Sequence, residues 1–286
     1  MNVDRYRVRH GDRKALHRHR TDDTGPFKDK DEGSACLKQG LEQLEERQQL
    51  LYAQDRYALL LVFQGMDAAG KDHVIRHVMS GVSPQGVDVH PFKQPSNEEL
   101  DHDYLWRVVK ALPERGRIGI FNRSHYEEVL AVRVHHDALR AEKLPGALVT
   151  KNIWKERFED ISGFERYLAR NGTVILKFYL HVSRTEQKRR LLERLDDRTK
   201  NWKFSATDMV DRGDWTDYRD AYSDAIAETS HKHAPWYVIP ADHKWFAQAL
   251  VAEVVVQTLN GLDLSYPKVG ARQRRALARA RRKLER

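Results

Sequence analysis

The sequence predicts an α/β fold, a parallel sheet wound with helices on both faces, and three observations carry that expectation. The apolar run 57–63 leads straight into Gly65-Met-Asp-Ala-Ala-Gly-Lys71, which in turn opens a helical pattern near Asp72. Residues 58–64 are apolar on both faces, as a central parallel strand covered by helices must be. Roughly five strand-like runs alternate with helical ones, the signature of crossover-connected parallel strands.

The first 32 residues are polar, rich in Arg, His and Asp, and lack an apolar period; they are expected to form an amino-terminal arm, with His17 and His19 solvated. From about 33 to 54 the residues Leu37, Leu41, Leu44, Leu50 and Leu51 recur near helical spacing. The strand 58–64 follows. Val74, Ile75, Val78 and Met79 then mark a helix ending near Gly81, and 87–90 reads as a second strand. A helix is expected over 98–112, stopped by Pro113. Trp106 and Arg107 on it could serve a phosphate chain, but an aromatic on a helix face is more often core packing.

The third strand covers 116–122, and Asn122-Arg-Ser-His-Tyr-Glu-Glu128 opens the next helix, where Ser124 and Glu127 have capping-box spacing. His135 and His136 read as exposed. An amphipathic helix covers 150–170, a strand 173–180, and Ser183 is the expected N-cap of a basic helix. Residues 214–230 are helical, 236–240 a last strand and 245–259 a last helix. Residues 33–262 thus make one domain, with a lid at about 184–213 and a basic tail over 263–286, which could become helical on a polyanion but reads as a solvated, partly disordered appendage.

Composition limits the function classes. The lone Cys36 can form no internal disulfide, which fits a reducing compartment. No apolar run reaches membrane-spanning length and the amino terminus is not a secretory signal, so a cytoplasmic protein without membrane contact is expected. The formal charge is +8, but residues 271–286 hold seven Arg, one Lys and one Glu, a balance of +7, leaving +1 for the other 270 residues. Any anion site in the body must come from local clustering.

The spacing Gly-x4-Gly-Lys, with a strand before and a helix after, is a recipe for holding phosphate. Gly65 and Gly70 let N–H groups turn inward, the helix N-terminus contributes partial positive charge, and Lys71 adds a full one, with Ala68 and Ala69 completing the cradle. Where the pattern has Ser or Thr as a Mg2+ ligand, this chain has Asp72, so Asp67 or Asp72 would hold the metal; Asp72 as a simple capping charge is the alternative. Asn122 ends a neighbouring strand, where a phosphate-loop enzyme places a further metal contact, and Arg123 beside it suits bidentate phosphate binding. Glu127 is a second metal candidate, with capping as its competitor. Arg190 and Arg194, four apart, share a helix face, the arrangement of a lid that brings positive charge onto a transferring phosphoryl. No nucleophile-base pair stands out. An ionised phosphate acceptor needs none, which points to a kinase acting on a nucleotide.

At these residues the chain resembles the family-2 polyphosphate kinases. Gly65-Met-Asp-Ala-Ala-Gly-Lys-Asp72 looks like the family's first phosphate motif and Phe121-Asn-Arg-Ser-His-Tyr-Glu-Glu128 its second. The stretch 176–183 with Glu186-Gln187 and Arg190-Leu191 is similar to the lid entry, Asn201-Trp-Lys-Phe204 to its far side, and 234–241 to the late strand. The resemblance covers about 35–262. It implies a P-loop kinase-like fold similar to thymidylate kinase. The implied reaction is transfer of the terminal phosphoryl of inorganic polyphosphate to ADP or AMP, with ATP as substrate in reverse, using Mg2+ or Mn2+ in its place. A homo-oligomer, dimer or tetramer, is also implied. Carried over, Asp67 and Glu127 would bind metal, Lys71 and Arg123 would hold the reacting phosphates with Asn122 in support, Arg190 would close from the lid, and Arg194 and Lys203 would bind phosphate. The Asn-Arg-Ser-x-Tyr-Glu form looks like the branch accepting both AMP and ADP. His73 stands where the family commonly has a small residue, and the tail is outside the family pattern. An ATP-dependent nucleoside monophosphate kinase, built from the same parts, is the alternative enzyme; a nucleic-acid-binding protein using the basic tail is the alternative from another class.

Overall fold

The computed structural model describes residues 1–286. Helix α1 (Lys30–Gln54) starts earlier than its apolar period because Asp29 accepts hydrogen bonds from the Asp31 and Glu32 N–H groups. It leads to strand β1 (Ala58–Gln64), buried at all seven positions. Helix α2 (Lys71–Val78) follows the glycine loop. Strand β2 (Val87–Pro91) and strand β3 (Ile118–Asn122) come next, then helix α3 (Ile153–Arg170) and strand β4 (Thr173–His181). Helix α4 (Arg184–Asp196) carries the Ser183 N-cap, whose hydroxyl accepts from the Glu186 N–H. Helices α5 (Ala206–Gly213) and α6 (Trp215–Thr229), strand β5 (Trp236–Pro240), helix α7 (Lys244–Asn260) and helix α8 (Ala271–Leu284) complete the chain.

All five strands are parallel in the order β2-β3-β1-β4-β5. Strand β1 is central, so its end delivers the loop to the middle of the sheet's carboxyl edge, where the two halves of the winding diverge. Helix α7 packs on α1 and α2 and is apolar nearly all round, burying Phe246, Leu250, Val251, Val254, Val255 and Leu259. Such a helix belongs between a sheet and an outer layer. Helices α3 and α6 pack together on the opposite side, with α3 on β4.

Three expectations change. Residues 1–32 are not a free arm: Val3, Tyr6, Val8, Ala15 and Leu16 join the core, and the Val8 N–H donates to the Trp236 carbonyl at 2.9 Å. Their spacing follows an irregular path over the core, so no single period reveals it. The helix over 98–112 is two short ones, Asn97–Leu100 and Trp106–Lys110. Asp103 divides them by accepting the Leu105 N–H at 3.0 Å, a local bond that competes with continuing the helix. The carboxyl tail, expected to be a partly disordered appendage, contains helix α8, none of whose residues is buried.

Candidate active site

The loop 65–71 adopts backbone conformations that side chains resist. Gly65 has φ +151°, and a Cβ there would lie 3.0 Å from the Leu180 carbonyl. Gly70, the N-cap of α2, has φ +106° and offers no capping side chain, so the first-turn N–H groups of α2 have no intrahelical acceptor and face outward as donors. Ala68 at φ +60° and Arg123 at φ +63° are non-glycine residues held in the left-handed region. Such strain persists where the surroundings dictate it and concentrates at ligand clamps. The Gly65 N–H donates to the Tyr222 hydroxyl at 3.2 Å, pinning the loop to α6.

Lys71 folds back over the loop, its Nζ donating to the Gly65 carbonyl at 2.7 Å. Burial, with the Arg123 charge adding to it, pushes the ammonium down to about 8, against the opposing pull of Asp67, Glu127 and Asp72. Across from it Arg123 leaves the end of β3, its Nη2 2.5 Å from Asp67 Oδ1 and its Nη1 3.3 Å from Glu127 Oε2. Burial raises the Asp67 carboxyl, but Lys71 and Arg123 more than offset this and hold it below the usual range. Arg123 is held above its ordinary value by Glu127, with Asp67 adding to it. The four groups form two cations and two carboxylates at the carboxyl edge of β1 and β3.

The remaining sequence candidates divide. Ser124 accepts from the Tyr126 N–H, and Glu127 turns to Arg123 instead of closing a capping box, so its capping role does not materialise. Asn122 donates from Nδ2 to Asp72 Oδ1 at 2.7 Å. Asp72 is exposed, with Lys203 Nζ 4.0 Å from its other oxygen. Arg194 faces Asp208 at 3.5 Å. Arg190 is not a free lid cation: 5% exposed, it donates to the carbonyls of Ala68, Ala69, Ala241 and Asp242 and to Glu186. Its fork matches backbone carbonyls left over at the loop and at the end of β5, so it braces α4 beneath the cradle. Arg107 is a core brace too, donating to the Lys93 carbonyl at 2.9 Å.

Several residues near the site escape a sequence reading. Gln187 donates to the Asp67 carbonyl at 3.1 Å and accepts from Arg212 of α5 at 2.7 Å, tying α4 and α5 to the loop. His135 is not simply exposed: its Nε2 lies 2.8 Å from Asp211 and 3.1 Å from the Tyr218 hydroxyl. Burial raises the Asp211 and Asp208 carboxyls, and the nearby Asp67 charge adds to both. Behind the second motif the fully buried Lys177 donates to Glu165 at 2.5 Å and to the Tyr126 hydroxyl and the Thr229 carbonyl at 2.8 Å each. Burial pushes this ammonium down to about 8, with Glu165 opposing. A lysine inside the apolar run of β4 was the available signal; the His135 contact, 76 residues from Asp211, left none.

Asp67 and Glu127 offer hard oxygen ligands, the class Mg2+ takes through one or two carboxylates with the rest from water and substrate phosphates. No group of three or more His, Cys, Asp or Glu side chains is placed to hold a metal ion.

Residues 27–266 match the family described as Polyphosphate kinase 2. An ADP-polyphosphate phosphotransferase of Rhodopseudomonas palustris is 48% identical over 285 residues, covering 99% of each chain. An AMP/ADP-polyphosphate phosphotransferase of Meiothermus ruber is 46% identical, covering 92% of this chain and 95% of its own. The crystal structure of polyphosphate kinase 2 from Arthrobacter aurescens TC1 superposes with a TM-score of 0.86 at 38% identity, covering 96% of this chain and 95% of that one.

Proposed function

This chain belongs to the polyphosphate kinase 2 family, and from that premise we infer that it transfers the terminal phosphoryl of inorganic polyphosphate to ADP, AMP or both, reversibly. The observation that carries the reading is the convergence of Lys71, Arg123, Asp67 and Glu127 around a glycine-framed loop, with no nucleophile-base pair among them. Two polyanions that repel each other must be brought into line, and fixed cations do this without covalent chemistry.

In this mechanism the loop N–H groups and Lys71 hold phosphate oxygens of one substrate. Arg123, oriented by its two carboxylates, presents its fork to the other. Mg2+, or Mn2+ in its place, held through Asp67 and Glu127, would neutralise charge on the phosphates. The acceptor phosphate is already ionised near neutral pH, so it attacks without a general base. Lys203 and Arg194 add charge at the lid's rim, while Gln187 and Arg212 keep the lid registered against the loop. We place the enzyme in the cytoplasm, consistent with the absence of any helix long and apolar enough to cross a membrane. We also expect a homo-oligomer, dimer or tetramer, for light scattering to read.

Incubation with Mg2+, long-chain polyphosphate and AMP or ADP in separate tubes, followed by nucleotide chromatography, tests the reading. ADP or ATP should appear. Both nucleotides emerging unchanged overturns it, and product formed with ATP in place of polyphosphate would point to a nucleoside monophosphate kinase.

A further inference from the structure

Helix α8 is a polycation with no structural task in the chain. Residues 271–286 carry seven Arg and one Lys against one Glu, and every residue from Ser265 onward is exposed. The last anchors are the buried Leu264 and the Asp263 carbonyl, which accepts from Gln54 at 2.7 Å. Arg281 pairs with Glu285; the other arginines of the helix have no acidic partner. Like charges sit one turn apart at Arg275 and Arg279 and at Arg279 and Lys283, spacings that destabilise a helix. A lone helix of this length is marginal in water even with good helix formers. A segment built this way is stabilised by an external anion, and it lies beyond the residues that match the family.

We propose that α8 is a second binding site for polyanion, and that its ligand is the distal part of the same inorganic polyphosphate chain whose end occupies the loop. The proposal rests on the polyphosphate reading above. Charge complementarity selects the ligand class, and the absence of any aromatic residue within 271–286 removes the stacking platforms that single-stranded nucleic acid binding relies on. Geometry sets the length requirement. Helix α7 starts at the carboxyl edge of the sheet and runs back over its 17 residues, about 25 Å at 1.5 Å per residue, so the tail is rooted at the end of the sheet away from the loop. The free residues 265–270 and the 14-residue helix together reach about 40 Å from Leu264. A long chain can therefore engage loop and tail at once, and holding it at one raises its effective concentration at the other. Tripolyphosphate seated in the loop leaves no free length of chain for the tail to hold.

The test compares the wild-type chain with a full-length variant in which Arg272, Arg274, Arg275, Arg279, Arg281 and Arg282 are replaced by Gln. With tripolyphosphate as donor both proteins should give the same kcat and KM within about twofold, which also establishes that the variant is folded. With long-chain polyphosphate at low salt the KM of the variant should rise about tenfold or more, and the gap should close as salt rises, since the tail's contribution depends on counterion release. An unchanged ratio of long-chain to tripolyphosphate KM overturns the proposal. In parallel, anisotropy of end-labelled long-chain polyphosphate should show weaker binding to the variant; duplex DNA displacing the label from wild type better than unlabelled polyphosphate at equal phosphate concentration would assign the tail to nucleic acid and overturn it. If no donor yields product, the polyphosphate reading fails, while the anisotropy comparison still decides whether the tail binds polyanion.

Discussion

Replacing Arg190 by Met separates two roles that sequence reasoning merges. A lid arginine that meets the transferring phosphoryl would be dispensable for folding, and its loss would cost about 10³–10⁵ in kcat. The structure instead buries the guanidinium to 5% exposure and engages it with four backbone carbonyls and Glu186. Hydrogen bonds from a charged donor contribute about 1.5–3 kcal/mol each, and removing one partner of a buried network strands the rest. Because water can reach some of the abandoned carbonyls, the net loss is about 3–5 kcal/mol. With a urea m-value of about 3 kcal/mol/M for a chain of this size, the unfolding midpoint should fall by about 1–1.7 M. Turnover should drop by about 10–100-fold as the loop loses registration. Urea titration followed by far-UV circular dichroism, alongside steady-state kinetics, measures both. Stability unchanged within about 1 kcal/mol together with a kcat loss beyond about 10³-fold would refute the brace and restore the lid role.

Lys71 acts as its protonated form, and its ammonium is pushed down to about 8 by burial, so kcat/KM, which reports the free enzyme, should fall as pH rises through about 8, while kcat, reporting the phosphate-bound enzyme, falls at higher pH. A profile flat from pH 7 to about 10 would contradict this, and Lys71→Ala should lose at least about 10²-fold in turnover. Asp67→Asn should shift the Mg2+ titration of activity to higher concentration; an unmoved titration transfers the ligand role to Asp72 or Glu127. Lys177→Met leaves the buried Glu165 without its ammonium, the Tyr126 hydroxyl still donating to it, and should cost about 3–5 kcal/mol, much of it recovered in Lys177→Met/Glu165→Leu. Additive losses in that thermal or urea cycle would mean the two groups are not coupled.

The amino-acid order by itself determined the elements whose pattern is local. Strand β1 falls on the predicted 58–64 because a run apolar on both faces must be covered on both, and the glycine loop was legible because Gly65 and Gly70 occupy backbone conformations that few residues adopt. Ser183 was readable as an N-cap because capping is settled within three residues. What lay beyond local pattern was decided by the packed chain. Arg190 and Arg194 are equivalent on a helical wheel, yet one meets leftover carbonyls of the loop and β5 while the other meets Asp208. Glu127 had capping spacing, and it was the left-handed Arg123 beside it, fixed by the Arg123 N–H bond to the Phe63 carbonyl, that drew its carboxylate away. His135 and Asp211 are distant in sequence and meet because α5 folds back over the loop. Spacing along the chain specifies which residues share a face; the partner each face meets depends on how helices are laid on the sheet, and that is set by burial of the whole core at once.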